Sequence, residues 1–199
     1  MTSASYPKPA RKRGVIVLNT PLANTNSVAE LIVGFMLDIA RNITLAYEKT
    51  QLGTFTKLAP QEMTGMEIGG KTLGLIGTGN IARRVAAILQ NGFGARVIGY
   101  DPYVDAQSMA EMGYEKYETV PELIAASDIV NVSVPLTDAT KNLIAGDTFD
   151  RFRRGAILVN AARGGIVNEQ DLYDALKAGK GGLIKCINFA KKKIGRAHV

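Results

Sequence analysis

The segment from Thr72 to Asp101 limits what this chain can fold into more than any other. Thr72-Leu-Gly-Leu-Ile-Gly77 is an apolar run of strand length that enters Gly77-Thr78-Gly79-Asn80-Ile81-Ala82, a G-x-G-x-x-A turn. Apolar residues then recur at helical spacing through Ile81 to Leu89, and Arg96-Val-Ile-Gly-Tyr100 reads as a second strand closed by Asp101. In such a strand–turn–helix–strand unit the first glycine, Gly77, allows the tight turn. The second, Gly79, lets backbone approach a ligand, and the small Ala82 holds helix against strand. The N–H groups at the helix start have no intrahelical partners and face an anion. A carboxylate about 20 residues on accepts bonds from ribose hydroxyls and repels a 2′-phosphate. Together these residues predict a dinucleotide site with NAD as the cofactor.

The rest of the chain alternates strands and helices. Gly14 to Leu18 reads as a short buried strand ending in the turn Asn19-Thr-Pro21. Ser27-Val-Ala-Glu30 has the form of a capping box and opens a long helix that fades by Gly53. Its apolar face is Val28, Leu31, Ile32, Phe35, Met36, Ile39 and Ile43. Thr54 to Gly70 reads as a loop. Beyond Asp101 the pattern predicts a helix over 105–112, a strand near 115–117, a helix over 120–126, and strands over 128–133 and 155–160. A helix over 168–178 follows, capped by Asn168 and ended by Gly179. That alternation means an α/β fold with a doubly wound parallel sheet.

Composition narrows the function classes. Of a net charge of +6, the seven basic residues after Asp174 and the four before Gly14 contribute eleven, so residues 14–174 carry −5. An acidic body with basic ends argues against nucleic acid, whose binders carry their charge on the folded surface. The one cysteine, Cys186, excludes an internal disulfide and fits a reducing compartment, predicting a cytoplasmic protein. No apolar run reaches the length of a membrane span, so no membrane partner is expected. The sole histidine, His198, stands apart from any ligand-like cluster, and no metal site is predicted. Arg83-Arg84 reads as a solvated helix face rather than a phosphate clamp.

Several blocks together resemble the D-isomer-specific 2-hydroxyacid dehydrogenase family, which includes phosphoglycerate dehydrogenase. They are Asn19-Thr-Pro21 with Ser27-Val-Ala-Glu30 and a long helix ending near Arg41, Gly70-Lys-Thr-Leu-Gly74, Tyr100-Asp-Pro102, Ser127-Asp-Ile-Val130, Val134-Pro-Leu-Thr137, and Asn160-Ala-Ala-Arg-Gly-Gly165. The resemblance runs from about Gly14 to Gly182 and implies a Rossmann-type NAD-binding domain. It implies that Thr78, Gly79, Asn80 and Ile81 sit on the pyrophosphate and Asp101 on the adenosine ribose. Val134, Pro135 and Leu136 would line the adenosine side, with Thr140 near the dinucleotide. Ala161 and Arg163 would stand beside the nicotinamide, Ala162 would be a further cofactor-binding residue, and Arg163 would be the substrate arginine, the one catalytic candidate in the chain. A planar guanidinium suits that task because it can hold a carboxylate and a carbonyl in one fork. The implied reaction is hydride transfer between nicotinamide and a D-2-hydroxy acid or 2-keto acid. The implied partner is a second copy, joined through the NAD-binding domain by the helix from Ser27 and the loop near Gly53 to Pro60.

The chain departs from the family in places. Ala82 replaces the third glycine, Asn80 stands where many members carry Arg, and Ser133 replaces a His, which predicts looser contacts near the cofactor. The expected organisation is a disordered basic leader over 1–13, a remnant of the substrate domain or hinge over 14–26, the NAD-binding domain over 27–182, and an aberrant basic tail over 183–199. Ile194 to Val199 reads like translated adapter sequence. The N-terminal substrate domain is expected to be largely absent, and so are the family's acid/base His and its Glu, since no acidic residue follows Asp174. Such a chain would expose the edge of its fifth strand, for want of a sixth, and would be inactive alone. A non-catalytic, NAD-responsive association module is the alternative.

Overall fold

Strand β1 (Thr72–Ile76) is buried at every position, as a central strand of a sheet covered on both faces must be. The computed structural model describes residues 12–15, 20, 22–54 and 64–178, and the backbone of 185–188. β1 pairs in parallel with β2 (Arg96–Tyr100) on one side and β4 (Ile129–Val132) on the other. The sheet continues through β3 (Glu115–Lys116) beyond β2, and through β5 (Ile157–Asn160) and β6 (Lys185–Asn188) beyond β4. The resulting order, β3-β2-β1-β4-β5-β6, reverses direction between β1 and β4. Ligands of doubly wound sheets bind at that reversal, outside the carboxyl ends of the strands.

Helices cover both faces. One face carries α1 (Thr25–Arg41) and α3 (Asn80–Phe93); the other carries α5 (Val120–Ala126), a 3-10 helix (Gly146–Arg151) and α6 (Glu169–Ala178). The short α2 (Ile43–Gln51) and α4 (Ala106–Glu111) complete the set. Side chains alternate between two cores because successive strand residues point to opposite faces. Leu73, Leu75, Val97, Ile129, Ile157 and Val159 join the first core, while Ile76, Ile98, Val130, Val132 and Leu158 join the second. Each such burial is worth roughly 1.5–3 kcal/mol. At Gly74 an added Cβ would lie 2.1 Å from Ser127 Oγ and 2.7 Å from Leu123 Cδ2, so α5 rests directly on the β1 backbone.

Four expectations are corrected. The helix does not open at Ser27: it begins at Thr25 after Asn24, and the Ser27 hydroxyl donates to Asn24 O at 3.1 Å from inside the first turn. It does not run on to Gly53 either. Asn42 adopts a left-handed conformation (φ 55°), and the Asp38 carboxylate accepts from Thr44 N at 2.7 Å, so one helix ends and a second is capped within three residues. The buried stripe is accordingly Ala29, Ile32, Val33, Met36 and Ala40, while Leu31 and Ile43 are exposed. At the described end of the first expected strand, Gly14 sits in a turn at φ 67° and Val15 is exposed; residues 16–18 lie outside the described residues. Finally, β5 is not an edge, because β6 pairs with it in parallel over four residues inside the segment read as an aberrant tail. The remainder of that tail, the leader through residue 11, residues 55–63 and Gly179 also lie outside the described residues.

Side-chain caps open the later helices, Asn168 as the sequence predicts. Asn168 Oδ1 accepts from Gln170 N and Asp171 N at 3.1 and 3.0 Å at the start of α6. Thr119 Oγ1 accepts from Glu122 N at 3.3 Å ahead of α5, and Asp105 Oδ1 accepts from Ser108 N at 2.7 Å ahead of α4.

Candidate cofactor site

The glycine turn joins β1 to α3 where the sheet order reverses. Gly77 has φ 87°, and a Cβ there would lie 2.8 Å from both Ser133 O and Val134 Cγ1. Its lack of a side chain therefore serves the chain's own crossing of the β4 exit, in a conformation costly to any other residue. At Gly79 a Cβ would meet nothing within 4 Å, so this backbone is open to an incoming group. The start of α3 carries no acidic residue and no side-chain cap, which leaves its first N–H groups for an anion. Ala82 is fully buried, as its position against the strand demands.

A cavity of about 650 Å³ opens at this helix start, within the range of small-molecule sites. Its walls bring together Gly79, Asn80 and Ile81 from the turn, Val134, Pro135 and Leu136 from the β4 exit, and Ala161, Ala162 and Arg163 from the β5 exit. Nine of the expected site residues thus meet in one space. Gly77, Thr78, Asp101 and Thr140 stand outside its lining. Asp101 lies beside the turn at the end of β2, where its Oδ2 accepts from Thr78 N at 3.0 Å and Thr78 Oγ1 at 3.1 Å. Its Oδ1 accepts from Tyr103 N at 3.0 Å. Thr140 braces the β4 exit loop: its hydroxyl donates to Pro135 O at 2.5 Å, and its Oγ1 accepts from Thr137 N at 2.8 Å.

The β5 exit is shaped by Asn160, a fully buried amide. Its Nδ2 donates to Arg163 O at 3.0 Å and its Oδ1 accepts from Ala162 N at 3.2 Å, folding Ala161 to Arg163 into a tight bend. The Arg163 guanidinium is exposed, donates to Ala162 O at 2.9 Å, and pairs with no carboxylate among the described residues. Its charge is free to meet an acidic ligand. Ser133 is held at 2.9 Å by a hydrogen bond between its Oγ and Asn131 Nδ2. Arg83, exposed as expected, also donates through Nε to Thr78 O at 2.7 Å and so braces the turn.

Four wall residues were not visible as site residues in the sequence: Thr25, Val28 and Ile32 of α1, and Val132, read only as part of its strand. Val28 and Ile32 read as ordinary core positions, and Thr25 lies off the apolar stripe. The Thr25 hydroxyl is buried without a hydrogen-bond partner, a costly state for a polar atom. An open helix start and an open Gly79 backbone on one cavity are features that fit NAD.

Comparison with known proteins agrees. Residues 33–185 match the family model described as D-isomer specific 2-hydroxyacid dehydrogenase, NAD binding domain. A D-3-phosphoglycerate dehydrogenase of Methanocaldococcus jannaschii is 40% identical over 171 residues, which is 86% of this chain and 32% of that protein. A hydroxypyruvate reductase of Thermotoga maritima is also 40% identical, over 86% of this chain and 53% of that protein. The apo-structure of D-lactate dehydrogenase from Escherichia coli superposes with a TM-score of 0.76 at 34% identity, covering 90% of this chain and 55% of that one. D-Lactate dehydrogenase of Aquifex aeolicus, solved with NAD and lactic acid, gives 0.76 at 29% identity, covering 94% and 55%. The chain spans about a third to a half of the length of these relatives. With the glycine turn, the open helix start and the Asn160–Arg163 bend in one cavity, it belongs to the D-isomer specific 2-hydroxyacid dehydrogenase family and carries that family's NAD-binding domain.

Proposed function

We propose that this domain serves an oxidoreductase that moves a hydride between a nicotinamide and a D-2-hydroxy acid or 2-keto acid. The observation that carries the reading is the single cavity bounded by the start of α3 at one end and the unpaired Arg163 at the other. NAD, when bound, supplies or accepts the hydride. Asn80 and Ile81 present backbone N–H groups to its pyrophosphate, with Gly79 leaving room for the approach, and Asp101 faces the adenosine ribose. Val134, Pro135 and Leu136 exclude water on the adenosine side. Arg163 receives the substrate carboxylate, oriented by the bend that Asn160 holds; orientation of this kind can supply much of a rate enhancement.

The one histidine in the sequence is His198, outside the described residues, and no residue is assigned here to the acid/base role. The chain is therefore proposed to bind NADH weakly and to be inactive alone. Association of two copies through this domain is supported by the exposed Leu31, Ile43, Tyr47 and Leu52 along α1 and α2. No helix among the described residues is long and apolar enough to cross a membrane, and a single cysteine supports a reducing, cytoplasmic setting.

Titration of the chain with NADH, followed by nicotinamide fluorescence, tests binding, and NADH consumption with glyoxylate, pyruvate or hydroxypyruvate tests chemistry. Saturable binding without turnover is expected. Turnover at an ordinary enzymatic rate overturns the assignment of the acid/base pair elsewhere, and absence of binding overturns the reading as a whole. A non-catalytic, NAD-responsive association module is favoured by one observation, the intact sixth strand. It predicts that NADH shifts the monomer–dimer balance of this chain.

A further inference from the structure

Thr78 occupies the position between the two turn glycines, yet its side chain points away from the cavity. It is 1% exposed. Its Cγ2 lies 3.2 Å from where a Cβ on Gly99 would stand, so the methyl rests on β2. Its hydroxyl donates to Asp101 Oδ2 at 3.1 Å, beside the bond from its own N–H at 3.0 Å. With Tyr103 N on Oδ1, three donors fix the carboxylate plane. A carboxylate has about four acceptor sites, so three are taken and one remains, on Oδ1. That site can take a ribose hydroxyl.

We propose that Thr78 is the positioning residue that locks Asp101 toward the adenosine ribose and thereby sets the preference for NAD over NADP. The alternative cofactor has a nearby recruit. Arg83 is tied only by Nε to Thr78 O and forms no salt bridge among the described residues. It lines a second cavity of about 380 Å³ with Tyr103, Asp105 and Ser108. An arginine beside the ribose accommodates a 2′-phosphate in NADP-binding relatives of this fold. A carboxylate held by all three donors keeps its charge against that phosphate; one that has lost the Thr78 hydroxyl keeps only the two backbone N–H groups and is freer to swing aside and leave the guanidinium to bind the phosphate.

The inference rests on Asp101 facing the ribose, and its test separates the two. NADH and NADPH are titrated by fluorescence into the full 199-residue chain and its Thr78→Val, Thr78→Ser and Asp101→Asn variants. Because both cofactors are read on the same preparation, the affinity ratio is insensitive to how much protein has folded. Loss of a hydrogen bond to a charged group predicts that Thr78→Val lowers the NADH-over-NADPH ratio about tenfold. Thr78→Ser, which keeps the hydroxyl, should hold the ratio within about twofold, and Asp101→Asn should collapse it. Should Thr78→Val not fold, Thr78→Ala removes the same hydroxyl without filling its place. A ratio unchanged on loss of the hydroxyl while Asp101→Asn collapses it overturns the lock alone. A ratio unchanged in Asp101→Asn overturns the ribose assignment beneath it. Loss of the ratio in Thr78→Ser assigns the effect to the methyl and overturns the role of the hydroxyl.

Discussion

Gly77 shows how one position can serve fold and site together. Its φ of 87° and the 2.8 Å approach to Ser133 O both forbid a side chain. Gly77→Ala should cost roughly 3 kcal/mol, from a strained backbone and overpacking at once, measurable as a shift in the urea midpoint. Gly79→Ala meets neither obstacle, so its stability should stay near the parent's. Arg163 makes the opposite kind of claim, on binding rather than on folding. Arg163→Met should weaken oxamate, a 2-keto acid isostere, about ten- to a hundredfold on the NADH-loaded chain. Unchanged oxamate affinity would return Arg163 to an ordinary surface arginine. Asp105 adds a pH-dependent residue. Hydrogen bonding from the backbone N–H of Ser108, and then from its side chain, holds this carboxyl below the ordinary aspartate range. A depressed folded-state value means that the stabilisation is full above the ordinary pKa and is lost as pH falls through the lower one. Asp105→Ala should therefore differ from the parent in unfolding midpoint at about pH 7, and the difference should shrink as pH falls below the ordinary aspartate range.

Among the elements, the break at Asn42 is the main departure from the periodicity. An apolar stripe continues across the join, so the pattern alone reads one helix. The break follows from a left-handed Asn and from Asp38 reaching forward to Thr44 N. Asn and Gly tolerate that conformation whereas Ala does not. Asn42→Ala should then destabilise by about 1 kcal/mol and Asn42→Gly by clearly less, compared by thermal unfolding; equal losses would locate the break in packing instead. The strands from Thr72 to Asn160 were legible within a residue or two, because each is a short apolar run bounded by turn residues. Asn168 was equally legible as a cap, since a cap depends on residues only two or three positions away. The opening of α1 was not, because Ser27-Val-Ala-Glu30 satisfies the capping-box pattern while the chain turns three residues earlier at Asn24.

For the whole molecule, β6 changes the expected behaviour most. Its pairing with β5 covers backbone groups that would otherwise offer an unpaired edge. Deleting residues 183–199 should uncover that edge, so that self-association rises with concentration in light scattering; unaltered scattering would mean that β5 is protected by something other than β6. The sequence by itself determined the glycine turn, the acid after β2, the Asn168 cap and the α/β alternation, and with them the dinucleotide class of the site. These rest on hydrogen bonds and periodicities spanning a few residues, and composition exposes them directly. Only the tertiary structure decided which distant residues share the cavity. Sheet order lays the exits of β4 and β5 beside the glycine turn, and α1 packs over them, which makes Thr25, Val28 and Ile32 part of its wall. The same folding turned Thr78 inward onto Asp101, 23 positions along the chain. No local pattern encodes a contact of that kind, because it depends on how far two neighbouring strands run before their chains turn.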